Sequence, residues 1–209
     1  MIGSGNITLT FDPVWTYLWR EDIGYIQTIK VDGYFTTNIH NIAIVDLKTD
    51  KNITGQGYTF KVNATVQNMG KYTEIFDITV YINATLSKTL TITLTSESLT
   101  TITIICNTTS WIKGNYTITA HITPIPYEIN LTDNTYVNGW VLISVVGDVD
   151  ASRRVDMLDL WLIQGKFGAV IGNPYPDVPE YIPNYDVDCS GRIDMIDLWI
   201  TQNNFGQTW

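Results

Sequence analysis

Asp148, Asp150, Asp156 and Asp159 recur further along the chain as Asp186, Asp188, Asp194 and Asp197. The two segments that carry them, GDVDASRRVDMLDLWLIQGKFG and YDVDCSGRIDMIDLWITQNNFG, are identical at 13 of 22 positions. Counted from the first aspartate, side-chain oxygens fall at positions 1, 3, 5, 9 and 12: Asp148, Asp150, Ser152, Asp156 and Asp159, then Asp186, Asp188, Ser190, Asp194 and Asp197. Arg154 and Arg192 occupy position 7, where a ligand loop offers its backbone carbonyl. Four carboxylates gathered at one point repel each other unless a hard dication neutralises them. Calcium takes six to eight oxygens in a flexible shell, whereas magnesium keeps more of its waters, so two calcium ions are the expected cofactors. Two helices with acidic first turns would explain Asp156, Asp159, Asp194 and Asp197, but not the aspartates upstream of them.

The copies differ at position 6, which favours φ > 0. Gly191 is there in the second and Arg153 in the first, so the second site is expected to bind more tightly. Val155 and Ile193 at position 8 are expected to anchor each loop in a core. Each loop is expected to feed a helix that stops near Gly168 or Gly206. Leu158, Trp161 and Leu162, and Ile196, Trp199 and Ile200, form apolar stripes expected to pack on each other, with both tryptophans as helix core.

This paired pattern, an EF-hand-like loop followed by a helix and duplicated across residues 147–206, resembles a dockerin. The resemblance implies a calcium-binding module that attaches its chain to a cohesin partner. In that family, loop positions 10 and 11 help choose the partner. Here they are Met157 and Leu158, and Met195 and Ile196, all apolar, which departs from the Ser/Thr pairs of cellulosomal dockerins.

The residues upstream have different chemistry. Twenty-seven of 29 threonines precede residue 136, and the runs YTFKVNATVQ, IFDITVYI, KTLTITLT, LTTITIIC, NYTITAHI and TYVNGWVLISVV alternate β-branched with polar residues. About seven strands separated by turn residues predict an antiparallel sandwich, core side Ile/Val and outer side Thr. The stretch NIAIVDLKTDKNITGQGYTFKVNATVQNMGKYTEIFDITVYIN, with DNTY before the last strand, resembles a CARDB domain, the immunoglobulin-like module of prokaryotic surface proteins. The pairing of that module with a C-terminal dockerin-like module resembles archaeal secreted proteins. The expected architecture is mainly β with a small α C-terminal module: an N-terminal strand segment (1–39), an immunoglobulin-like β-sandwich (40–146) and the loop–helix pair (147–209). Within 1–39, Ile7, Leu9 and Phe11 alternate with Asn6, Thr8 and Thr10. That strand either completes the sandwich, forms a small flanking sheet, or pairs with a neighbouring subunit by strand addition.

Composition narrows the function. Twenty-one Asp/Glu against 12 Lys/Arg give a net charge of −9, with ten of the acids after residue 146, which argues against nucleic-acid binding. No run of 18 apolar residues suggests a membrane span. No leader is visible after Met1, as in the mature form of a secreted chain. Sequons of the N-x-T type occur at Asn6, Asn52, Asn63, Asn83, Asn107, Asn115 and Asn130, seven where chance pairing would give about three, pointing to export and N-linked glycans. Cys106 and Cys189 either pair across the two parts or stay free. Only His40 and His121 are present, without a HExxH, GxSxG or P-loop motif, so no catalytic role is expected. Two readings follow. One is a self-assembling, calcium-stiffened filament or surface-layer subunit joined through Ile7, Leu9 and Phe11. The other is an adhesion or docking module that binds a cohesin-like protein or a surface glycan through Met157, Leu158, Met195 and Ile196.

Overall fold

The structure, a computed structural model, describes residues 39–83, 85–128 and 130–209, with the backbone of Trp19–Arg20 and Gly24–Tyr25. The chain divides into two units, Met1–Thr37 and Asn38–Trp209. In the first, β1 (Trp19–Arg20) pairs antiparallel with β2 (Gly24–Tyr25). The expected strand at Ile7, Leu9 and Phe11, and the sequon at Asn6, lie outside the described residues.

In the second unit the alternating runs become strands: β3 (Ile42–Thr49), β4 (Ile53–Gly55), β5 (Thr59–Asn68), β6 (Glu74–Ile82), β7 (Thr85–Leu94), β8 (Leu99–Asn107), β9 (Gly114–Ile122) and β10 (Thr135–Ser144). They form a three-stranded sheet ordered β3-β5-β8 and a five-stranded sheet ordered β4-β10-β9-β6-β7. Period-2 patterning decides which side is covered. Phe60, Val62, Ala64 and Val66 of β5 are buried, and they share one core with Ile78, Val80 and Ile82 of β6 and Ile118, Ala120 and Ile122 of β9. Asn68 ends β5 fully buried, donating to Tyr72 O (2.7 Å) and Leu94 O (3.0 Å) and accepting from Gly70 N, so the N-x-G turn is pinned by one side chain. The pairing is antiparallel except at β4, which runs parallel to β10. That strand is only three residues long, too short to show a period.

After β10 the chain makes two matching loop–helix units, with α1 (Met157–Gln164) and α2 (Met195–Asn203). Each loop is clamped by the tail of the other unit. Val155 N donates to Gln207 O and Gly206 N to Val155 O, while Ile193 N donates to Ala169 O and Gly168 N to Ile193 O. Val155 and Ile193 are buried, and Val149, Ile163, Ala169, Val187 and Ile193 make a second core. The helices end before Gly168 and Gly206, because the chain must peel away to reach those clamps. Both glycines turn it with positive φ, +89° and +82°.

The expected apolar stripes need correction. Leu162 and Ile200 do pack on the second core, but Trp161 is 66 % exposed and Trp199 62 %, and Leu158 and Ile196 are exposed beside them. The buried face of each helix is set by its loop-facing aspartate and the residue four on: Asp159 with Ile163, and Asp197 with Thr201. Trp161 and Trp199 come two residues after those aspartates, some 200° around the helix, and so face outward.

The loop–helix pair sits directly on the sandwich. Gly55 of β4 packs against Val146, and Gly147 against Thr201 of α2. Asn52 backbone N donates to Asn184 Oδ1 (3.2 Å), and Asn184 Nδ2 donates to Asn52 Oδ1 (2.6 Å). Cys106 is buried in the sandwich and Cys189 half-buried, and both are free thiols.

Candidate metal centre

Each loop brings three carboxylates together. Ligand oxygens of Asp148, Asp150 and Asp159 all lie within 4.8 Å of one another, as do those of Asp186, Asp188 and Asp197. These are positions 1, 3 and 12 of each loop. The loop backbone closes round them. Ser152 N donates to Asp148 Oδ1 (3.1 Å) and Asp150 Oδ1 (2.9 Å), and Arg153 N to Asp148 Oδ2 (2.9 Å). In the second loop Ser190 N donates to Asp186 Oδ1 and Asp188 Oδ1 (both 3.0 Å), and Gly191 N to Asp186 Oδ2 (2.8 Å). The position-5 hydroxyls lie beside the position-7 carbonyls, Ser152 Oγ donating to Arg154 O (3.1 Å) and Ser190 Oγ to Arg192 O (3.3 Å).

The aspartates that begin and end each cluster are also built into the fold. Asp159 accepts from Val149 N and Asp156 N, each at 2.8 Å, and Asp197 from Val187 N (2.7 Å) and Asp194 N (2.8 Å). Each therefore ties loop start to helix start. Asp156 and Asp194, the position-9 residues, are not among the gathered carboxylates. They are the N-caps of α1 and α2, completing capping boxes with Asp159 and Asp197. Asp156 also pairs with the Arg154 guanidinium at 2.5 Å.

Several partners come from far away in sequence. Ser144, the last residue of β10, donates its hydroxyl to Asp148 Oδ2 and accepts from Trp209 Nε1. Tyr181 donates to Asp186 Oδ2 at 2.5 Å. Lys51, buried between sandwich and loop, donates to Asp186 O (3.0 Å) and lies 3.2 Å from Cys189 Sγ. No spacing rule links these residues to the repeat, and nothing in the sequence singled them out.

The electrostatics match a cation site. Asp148, Asp159, Asp186 and Asp197 are at most 3 % exposed. Burial, reinforced by the Asp159 charge, pushes Asp148 up to about 6 despite hydrogen bonds from Ser144 and Arg153 N that favour its ionised form. Burial likewise raises Asp159 and Asp197. Two buried carboxylates crowded against a third, more exposed one in each loop are costly to ionise alone and fit an ion that supplies two positive charges. The donor set is all oxygen, which suits a hard cation rather than zinc.

No family model matches the chain, and no curated protein matches it. Among solved structures it is similar to the CARDB domain of the PF1109 protein of Pyrococcus furiosus, determined in complex with two metal ions: 22 % identity, TM-score 0.46, covering 53 % of this chain and 99 % of that one. It is also similar to a domain of a Methanosarcina acetivorans protein provisionally assigned to the cell surface: 22 % identity, TM-score 0.41, covering 50 % of this chain and 92 % of that one. A β-glucosidase from Listeria innocua matches at 12 % identity and TM-score 0.38, covering 50 % of this chain but only 16 % of that one.

Proposed function

We propose that this chain is an exported, non-catalytic calcium-binding protein whose two loop–helix units present one apolar face to a protein partner. The observation that carries the reading is the junction of two features in each unit. Three carboxylates converge at the start of the helix, and the helix they fix holds large apolar side chains in solvent. Met157, Leu158 and Trp161 of α1 and Met195, Ile196 and Trp199 of α2 are all exposed. Apolar clusters of this kind mark interaction surfaces. In each unit the calcium would be held by the carboxylates of Asp148, Asp150 and Asp159 or of Asp186, Asp188 and Asp197, with Ser152 and Ser190 hydroxyls and the Arg154 and Arg192 carbonyls as further oxygens. Its charge would offset the repulsion of the loop carboxylates and fix the helix that follows. The dockerin-like pattern makes a cohesin-like module the partner class. The sequons are the support for export.

The test is binding of the full chain to an immobilised cohesin-like module, in calcium and in chelator. Capture in calcium, loss in chelator and at least a tenfold weakening by W161K with W199K are expected. A chain that ignores the module, and instead forms calcium-dependent polymers that vanish when residues 1–11 are removed, would replace docking with the strand-exchange reading.

A further inference from the structure

The outer face of the five-stranded sheet carries an open groove of about 510 Å³, lined by Tyr81, Asn83, Thr117 and Thr119. We propose that this groove is the seat of an N-linked glycan on Asn83, whose first sugar rings pack against Tyr81; this rests on the reading of the chain as an exported glycoprotein. Asn83 is the acceptor of the sequon Asn83-Ala84-Thr85 and follows β6 at the turn into β7, exposed, with φ +47°. Its backbone N donates to Thr117 O (3.0 Å), and its Oδ1 accepts from Thr117 N (2.8 Å). The amide is thus held by its oxygen. Its Nδ2 has only a 3.5 Å contact with Asn115 O, at the outer limit of a hydrogen bond, and is free to be modified.

The surroundings suit a neutral sugar. Tyr81 lies near the end of β6, two residues before Asn83, and both residues line the groove. Tyr81 is opposite Thr119 on β9, and Thr117 and Thr119 are opposite Trp140 and Val137 on β10. Residues directly opposite share a face, so Tyr81 and the two threonines lie on one face of the sheet, with the half-exposed Trp140 on the next strand beyond them. Among the described residues, the groove's lining includes no Asp, Glu, Lys, Arg or His. The C–H face of a pyranose is apolar and packs on an aromatic ring, while its hydroxyls pair with threonine and amide groups. Transfer joins Asn83 Nδ2 to the anomeric carbon of a lipid-diphosphate-linked sugar. The anomeric C–O bond breaks, the lipid diphosphate leaves, and the amide gives up one proton. The donor and transferase belong to the export machinery.

The experiment is to express the full chain in an N-glycosylating host, map glycopeptides by mass spectrometry and record Tm for wild type, T85A, Y81T, T85A with Y81T, and N115Q. The expected result is an occupied Asn83 and a Tm lower by about 2–4 °C in T85A. Y81T should lower Tm by a similar amount in the glycosylated protein and hardly at all in the T85A background, and N115Q should leave this dependence intact. An empty Asn83 beside occupied sequons elsewhere would overturn the proposal alone, as would an occupied Asn83 whose loss changes neither Tm nor the effect of Y81T. A chain with every sequon empty would overturn it together with the exported-glycoprotein reading.

Discussion

At the residue scale the two loops differ most at position 6. Ala151 and Cys189 at position 4 both have left-handed backbone, φ +66° and +63°, so that strain is shared. Position 6 has φ +70° at Arg153 and +85° at Gly191. A non-glycine residue there costs about 1 kcal/mol or slightly more, roughly fivefold in Kd. The Arg153 guanidinium lies 5.2 Å from the centre of the Trp209 ring, and that contact offsets part of the strain. Calorimetry should resolve a tighter second site, and R153G should narrow the gap; equal sites, or a tighter first one, would refute this. Asp148 adds a pH dependence whose sign depends on metal. Without metal its folded value, about 6, is above the ordinary 3.8. Its protonation therefore contributes stability in full below pH 3.8, and this is lost as pH rises through about 6. With calcium bound the carboxylate must stay ionised, so stability falls as pH drops through the same window. Melting curves in chelator and in excess calcium should slope in opposite directions between those values, and parallel slopes would contradict the assignment.

At the scale of elements, the joints are glycines. Gly147 has φ +94°, and a Cβ there would come 2.9 Å from Thr201 Cα of α2. G147A must both strain its own backbone and push the helix away. Gly168 has φ +89° but open space around a new Cβ. G147A should therefore lower Tm clearly more than G168A, which carries only the backbone cost of about 1 kcal/mol. Equal losses would mean that the Gly147–α2 contact contributes little. Much of this architecture was legible in the sequence, because period-2 alternation in runs such as TFKVNATV reports directly which side of a strand is buried. The duplicated aspartates were legible for the same reason: their spacing is local. The outward Trp161 and Trp199 were misread because hydrophobicity alone does not say where a helix begins its turn. The phase is set by Asp159 and Asp197, which must face their loops. The short β4 and the roles of Ser144, Tyr181 and Lys51 were invisible, since each depends on contacts made across the fold.

For the molecule from Asn38 to Trp209, sandwich and loop–helix pair share contacts that tie metal binding to the β core. Lys51 next to β4 holds the backbone of Asp186, and Ser144 at the end of β10 holds Asp148. Calcium should therefore raise the melting temperature of the sandwich itself, in a single transition. K51M removes the link to the second loop while keeping an apolar stem. It should weaken the second site several-fold and reduce the calcium-induced rise in Tm; an unchanged rise would show that the two cores respond independently. The most direct measurement of the central claim is a calorimetric calcium titration of the chelator-stripped chain, repeated with D159N and D197N. Two sites in the wild type, with one lost in each variant, is the predicted result. An absence of calcium binding in a folded wild-type chain, or two sites that survive both substitutions, would contradict it.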